Sequence, residues 1–359
     1  MSIDALKSKI ELFPRVDLIH MPTPINKMEY LTKELGGPEI YIKREDLTGL
    51  AFGGNKSRKL QYIIHDVLDK KCDAVVTWAS LQSNWCLQTA AAARKFGITP
   101  ILVLFKSYDL PDEYDGNMLL DVILDAEIKI RDAEKGRVVR PEDAEDVVEE
   151  VMQEARENGY TPYNIPLGGS MAGGSMEKPI GSIGYVESFV ELEGQSQYLN
   201  VNFDYIIHAT GSGGTQAGLI AGACALGGRT KILGISVSEG KENFSQLVLT
   251  IAQDTASALK LETVPQSSDV MVFDDYIQDG YGIVNKEVVD ILRFIAIKEG
   301  IFLDPVYTSK AMYALIDLVK KGYFSGKDKI VFYHTGGTPA LFPNKGLITS
   351  LLGDNKARA

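Results

Sequence analysis

Cysteine is scarce in this chain: Cys72, Cys86 and Cys224 are the only three, an odd count with no CxxC pair and no metal-ligand spacing. No disulfide framework is therefore expected, and a reducing cytoplasm is. Four histidines, His20, His65, His208 and His334, form neither HExxH nor any recurrent ligand spacing, so no metal site is expected. A GxSxG nucleophile elbow is absent, which lowers the hydrolase readings. Positive charge is in deficit, with 37 Lys and Arg against 48 Asp and Glu, and the densest charged run, PEDAEDVVEEVMQEARE from Pro141, is acidic with apolar residues at helical spacing. A net charge of -11 repels nucleic acid and anionic membrane, so neither is expected as a partner. No segment offers a long charge-free apolar run, and MSIDALKSKIELFPRVDLIH lacks the basic-then-apolar order of a signal peptide. Internal repeats and low-complexity tracts are missing too, so solenoid and disordered readings gain no support.

What the chain does have is apolar material, 45% of its residues, in a length beyond one usual compact domain, and two lobes are expected. A short β-branched run, a Gly, Ser or Asn cluster and a helical pattern follow one another repeatedly, which reads as α/β with parallel sheets. YIKRED from Tyr41 leads through LTGLAFGGNK into SRKLQYIIHDVLDK, where Leu60, Ile63, Ile64, Val67 and Leu68 mark one helix face. DAVVTW from Asp73 leads through ASLQSN into WCLQTAAAARKFG. DYIIHAT from Asp204 leads through GSGGT into QAGLIAGACALGG, and KIVFYHT from Lys329 leads into GGTPALF. Ligands of open parallel sheets sit beyond the carboxyl ends of the strands, so these four loops are expected to converge on one crevice. The Gly-rich stretch from Pro166 is the candidate crossing between lobes, or equally an active-site loop.

Each loop carries a candidate. In GSGGT, residues Gly211, Ser212, Gly213, Gly214 and Thr215 lie between a strand and a helix, where backbone N–H groups can enclose a phosphate at the positive helix end. A plain tight turn is the alternative. A dinucleotide site is the sharper competitor, with Glu239 ending the next strand, but Gln216 stands where GxGxxG needs its third glycine. Lys56 in GGNKSRKL sits at a helix start, where the positive dipole end disfavours an ammonium and a free amine is suited to forming an imine. Taken alone, it is as readily a solvated surface lysine. Ser83 and Asn84 of LQSNW can hydrogen-bond a flat ring, though Ser-Asn is also ordinary turn chemistry. Tyr281 in DGYGIVN and Tyr307 in DPVYTSK are candidate proton-transfer groups that gain weight only together.

Taken in order, PTPINKMEYL, YIKREDLTG, GGNKSRKL, QSN, GSGGTQAG, DPVYTSKAM and HTGGTPALF resemble the family that contains D-cysteine desulfhydrase and 1-aminocyclopropane-1-carboxylate deaminase, from about Pro22 to Phe342. The resemblance implies a two-lobed α/β fold of the tryptophan synthase β-like group, each lobe an open, twisted, mostly parallel sheet flanked by helices. It implies a large cofactor lobe of residues 1–58 and 166–359, a small lobe of 59–165, and a homodimer. Pyridoxal 5'-phosphate is the implied cofactor, with Lys56 as Schiff-base lysine, Lys59 on the phosphate side, and Gly211, Ser212, Gly213, Gly214 and Thr215 as phosphate cup. Asn84 is the implied partner of the ring hydroxyl, Thr308 and Thr338 are further cofactor contacts, and Ser83, Asn84 and Trp85 face the substrate. Lys56, Ser83, Tyr281 and Tyr307 are the implied catalytic residues.

Two departures bear on specificity. The deaminases typically carry an acid after the tyrosine of DPVY, at the pyridine nitrogen, and this chain has Thr308. A neutral hydroxyl there makes a weaker electron sink, which favours loss of a good β leaving group over cyclopropane opening. After QSN, where desulfhydrases commonly have His and deaminases Gln, stands Trp85, which cannot act as a base. The expected activity is α,β-elimination from a small amino acid, D-cysteine desulfhydrase-like, giving pyruvate, ammonia and sulfide. L-cysteate sulfo-lyase, 1-aminocyclopropane-1-carboxylate deaminase, a nicotinamide oxidoreductase and a non-catalytic pyridoxal phosphate carrier are the alternatives.

Overall fold

The computed structural model describes residues 1–107, 114–134 and 138–353. The chain runs α1 (Ile3–Ile10), β1 (Ile25–Lys27), α2 (Glu29–Leu35), β2 (Glu39–Lys43), α3 (Asn55–Asp69), β3 (Ala74–Ser80), α4 (Asn84–Lys95), β4 (Thr99–Lys106), α5 (Gly116–Ile123), β5 (Glu127–Asp132), α6 (Pro141–Glu157) and β6 (Pro162–Asn164). It continues as α7 (Ile180–Leu199), β7 (Tyr205–Thr210), α8 (Gly214–Leu226), β8 (Lys231–Ser236), α9 (Lys241–Ala258), β9 (Met271–Phe273), α10 (Lys286–Glu299), α11 (Thr308–Lys320), β10 (Lys329–Tyr333) and α12 (Lys345–Leu352). Two sheets result, one in the order β1-β2-β10-β7-β8-β9 and one in the order β5-β4-β3-β6. Among the described strands only β1 runs antiparallel to its neighbour; the other strand pairings are parallel. This is the two-sheet, helix-flanked α/β architecture that the alternation of runs implies.

Burial explains the strands. Ile206, Ile207 and His208 of β7 and Ile330, Val331 and Phe332 of β10 are all buried, as central parallel strands covered on both faces must be. Strands β3 and β4 divide their side chains: Val75, Ala79, Leu102 and Leu104 meet α3 and α4, while Val76, Trp78, Val103 and Phe105 meet α6. The acidic run from Pro141 is α6, which buries Ala144, Val148, Val151, Met152 and Ala155 and turns its charges outward.

Helix α3 buries Leu60, Ile63, Ile64 and Val67, but Leu68 is 39% exposed. At 100° per residue Leu68 lies roughly 80° round the helix from Leu60, outside the packed stripe. The position 58/59 falls inside this helix, which packs on both α4 and α7. Segment 166–179 links β6 to α7. Helix α7 approaches α3 and α8 closely because a Cβ on Gly184 would lie 2.7 Å from Arg58 O, and one on Gly218 only 2.2 Å from Ser182 O. The first turns of α3 and α8 are thereby held against a common support.

Candidate active site

Helix α3 begins after a turn that only glycine makes. Gly53 and Gly54 have φ of 73° and 133°, and a Cβ on Gly53 would fall 1.8 Å from Asp46 O. Gly54 bridges Gly336, and Asn55 N–H donates to Thr335 O at 3.1 Å, which stitches the start of α3 to the end of β10. Lys56 follows. Among the described residues its amine has no hydrogen-bond partner, and burial lowers its pKa to about 8. Arg58, fully buried, donates to both oxygens of Glu45 at 2.6 and 2.9 Å and to Glu191 at 2.9 Å. Burial works to raise the Glu45 carboxyl, but the Arg58 charge outweighs it and holds the group below its ordinary value. The helix that presents Lys56 is thus anchored by an ion cluster on its far face.

Lys59, one turn on, does not reach the cleft wall. It donates to Gly168 O at 3.0 Å and Ser170 Oγ at 2.9 Å, and burial with the nearby Lys56 charge pushes its pKa well down. It stands behind the start of α8, where a Cβ on Gly214 would meet its Nζ at 2.8 Å. Gly213, with φ of 77°, precedes a helix that no side chain caps, so first-turn N–H groups face outward from its positive end. Ser212 pairs with Ser170 at 2.9 Å, and Thr215 Oγ1 accepts from Asn55 at 3.1 Å. The two helix starts therefore share one rim.

After β3, Ser83 caps α4 by accepting from Trp85 N at 3.2 Å and Cys86 N at 3.1 Å. Asn84 lies on the cleft beside it. Trp85 is turned toward the core of the smaller sheet: its Nε1 donates to Thr77 Oγ1 at 2.8 Å and its ring packs against Gly169. It contributes a buried wall rather than a polar reach into the cleft.

Opposite loops supply the hydroxyls. Tyr281 Oη and Tyr307 Oη are 2.5 Å apart, and Ser80 Oγ is 3.4 Å from Tyr281. Lys310 of α11 donates to Ile277 O and Gly280 O at 2.8 and 2.6 Å, tying the loop of Tyr281 to the helix that follows Tyr307. Asp304 caps α11, accepting from Tyr307 N and from both N and Oγ1 of Thr308. The Thr308 hydroxyl is therefore engaged with Asp304, 2.6 Å away, and is not part of the cleft wall. Thr338, which starts the turn after β10, is also outside that wall, whereas Thr335 and Gly336 lie on it. The cleft, about 1050 Å³ with its open mouth, thus gathers Lys56, Ser83, Asn84, Trp85, Gly211, Ser212, Gly213, Thr215, Tyr281 and Tyr307.

A family model described as "Pyridoxal-phosphate dependent enzyme" matches residues 16–336. The chain belongs to that family. It is 38% identical over 347 residues to a putative 1-aminocyclopropane-1-carboxylate deaminase of Pyrococcus furiosus, covering 97% of this chain and 99% of that one. It is 38% identical over 340 residues to a D-cysteine desulfhydrase of Yersinia enterocolitica, covering 94% and 98%. A crystal structure of an ACC deaminase homologue superposes with a TM-score of 0.86 at 37% identity, over 97% of this chain and 99% of that one.

The family's cofactor is pyridoxal phosphate, and the cleft suits it. The uncapped α8 start could take a phosphate, the Lys56 amine, without a partner among the described residues, could form an imine, and Asn84 and Thr335 are polar groups on the same wall. Four positions escaped the sequence reading: Asn55, Ser80, Thr335 and Lys310. Thr335 had a usable signal, since it lies two residues past a strand end that faces the crevice. Nothing local marks Lys310.

Proposed function

We propose that this enzyme eliminates a neutral or weakly charged β substituent from a small amino acid, as D-cysteine desulfhydrase does, so that D-cysteine and water yield pyruvate, ammonia and hydrogen sulfide. The observation that carries this reading is the charge of the wall: among the described lining residues Lys56 is the sole cation, and there is no carboxylate. Without an acid at the pyridine nitrogen the ring is a weaker electron sink, which suits a good leaving group better than cyclopropane opening. Among the described wall residues the sulfonate of L-cysteate would meet no second cation, which favours sulfide over sulfite as the leaving group.

Bound in the cleft, pyridoxal phosphate supplies an aldehyde for the substrate amine and a ring that takes up the electron pair released at Cα. The chain supplies the rest. Gly211 to Thr215 hold the phosphate at the α8 start with Lys59 in support from behind. With the cofactor bound, the Asn84 amide would donate to the ring oxygen, and Thr335, which lies on the cleft wall where Thr308 and Thr338 do not, would be the hydroxyl available to the ring nitrogen. Ser83, whose oxygen accepts two α4 amides, keeps its hydroxyl proton for the substrate carboxylate. Lys56, with a pKa of about 8, is poised to remove the Cα proton. Tyr281 or Tyr307 gives a proton to the departing sulfur.

We also infer a cytoplasmic homodimer. The three cysteines are all free thiols, and among the described residues no helix is long and apolar enough to cross a membrane. Leu119, Val122 and Ile123 of α5 are exposed, as is Phe342 beyond the turn that α5 packs on, an apolar face suited to a second copy.

Incubation of the purified holoenzyme with D-cysteine, L-cysteine, L-cysteate and 1-aminocyclopropane-1-carboxylate, with keto acid, sulfide and sulfite measured, tests the activity. Pyruvate with equimolar sulfide from D-cysteine supports it. Turnover of the cyclopropane substrate or of L-cysteate at a higher kcat/KM overturns it.

A further inference from the structure

Asn117 is fully buried on α5 and is not itself a lining residue of the cleft. Its Nδ2 donates to Gln82 O and to Asn84 Oδ1, each at 2.9 Å, and its backbone N–H donates to Gln82 Oε1 at 2.8 Å. These contacts settle the direction of two amides. A backbone carbonyl only accepts, so the Asn117 atom facing Gln82 O must be nitrogen. The second hydrogen on that nitrogen then requires the oxygen of Asn84, not its nitrogen. The Asn84 Nδ2 is consequently turned away from α5, to a place 3.0 Å from where a Cβ on Gly337 would stand, next to the cleft-lining Gly336.

Asn117 Oδ1 itself has no partner among the described residues. A buried amide with an unsatisfied oxygen is a poor contributor to stability, so the side chain needs another reason to be there. We propose that Asn117 is a positioning residue, which holds the Asn84 amide with its Nδ2 toward the ring oxygen of the cofactor. This rests on the reading that Asn84 faces that oxygen. A hydrogen bond donated to an anionic oxygen favours the anionic form, so losing the orientation alters the protonation equilibrium of the bound cofactor.

The test is the pH titration of the visible absorption band of the holoenzyme, with cofactor stoichiometry and far-ultraviolet circular dichroism recorded for each variant. Asn84→Ala, Asn117→Ala, Asn117→Asp and the double variant Asn84→Ala/Asn117→Ala are compared with the parent. The expected result is that Asn117→Ala moves the midpoint in the same direction as Asn84→Ala, and that the double variant moves it no further than Asn84→Ala alone. Asn117→Asp is nearly isosteric and, where its carboxyl is ionised, offers Asn84 only acceptors, so it reverses the Asn84 amide and produces a shift of the same sign. That variant keeps the proposal testable where alanine impairs folding. If Asn84→Ala shifts the midpoint while both Asn117 variants leave it unchanged, the positioning role is overturned and the reading of Asn84 survives. If Asn84→Ala leaves it unchanged, the reading of Asn84 fails, and the proposal with it.

Discussion

The phenolic oxygens of Tyr281 and Tyr307 lie 2.5 Å apart across a sequence separation of 26 residues, with Ser80 Oγ 3.4 Å from the former. Burial raises the Tyr281 pKa against the opposing pull of its hydrogen bonds from Ser80 and Tyr307, so Tyr281 keeps its proton at neutral pH. Two hydroxyls this close could act on a leaving group as one unit. Tyr281→Phe and Tyr307→Phe should each lower kcat for elimination by about 10²-fold, and the double variant by little more, because removing either breaks the same proton path. Steady-state keto acid release from the three variants checks this; independent, multiplicative losses would show that the tyrosines have separate roles.

Lys56 should be indispensable for the covalent link. Lys56→Ala is expected to lose the lysine-bound visible band and turnover together, and retained steady-state elimination would refute the assignment. An amine with a pKa of about 8 has a pH signature as well. Combination of the apoprotein with pyridoxal phosphate should accelerate as pH rises through about 8 and level off above it, where an ordinary lysine would still be gaining reactivity above pH 10. Stopped-flow absorbance across that range distinguishes the two.

Gly214 leaves no room for a methyl group. A Cβ there would stand 2.7 Å from Ser170 Oγ and 2.8 Å from Lys59 Nζ. Gly214→Ala must displace a buried lysine that among the described residues has only Gly168 O and Ser170 Oγ as acceptors. We expect cofactor affinity to fall by about tenfold or more, equivalent to about 1.4 kcal/mol or more. Equilibrium titration of apoprotein with pyridoxal phosphate measures it; an unchanged Kd would mean that the α8 start does not contact the phosphate.

Asp121 is buried with neither carboxyl oxygen hydrogen-bonded among the described residues, and burial raises its pKa well above 3.8. The folded chain therefore retains a proton that the unfolded chain releases above about pH 4. Stability falls as pH climbs from that value toward the raised one, and the penalty persists beyond it. Asp121→Asn has no proton to lose, so its advantage over the parent should be near zero at about pH 4 and reach about 1 to 3 kcal/mol in the neutral range. Urea unfolding of both proteins at acidic and neutral pH reads the difference, and a constant gap would mean that the Asp121 carboxyl is not the source.

The place of Lys56, Gly211, Ser212, Gly213 and Thr215 on the cleft was legible in the sequence because it is set locally: a helix start and adjacent glycines determine where N–H groups point. Thr308 was misleading for the opposite reason. Its neighbour in sequence, Tyr307, reaches the cleft, but Asp304 four residues earlier draws the Thr308 hydroxyl inward. Thr335, not Thr338, occupies the crevice because β10 ends at Tyr333 and the glycines that follow carry the chain away. Trp85 was identified as a departure at the right position, yet its direction depends on Thr77, which belongs to another element.

The alternation of strands and helices, the order of the strand-end loops, and the residue types available for a phosphate and an amine can all be read along the chain. Period, glycine placement and helix ends are properties of short stretches, so they survive without the rest of the chain. Which hydroxyls share the cleft, what lowers the Lys56 amine, and which way Asn84 points emerge from the folded arrangement. Those depend on burial and on partners tens to hundreds of residues away, such as Asn117 for Asn84 and Gly168 for Lys59, whose proximity no local pattern encodes.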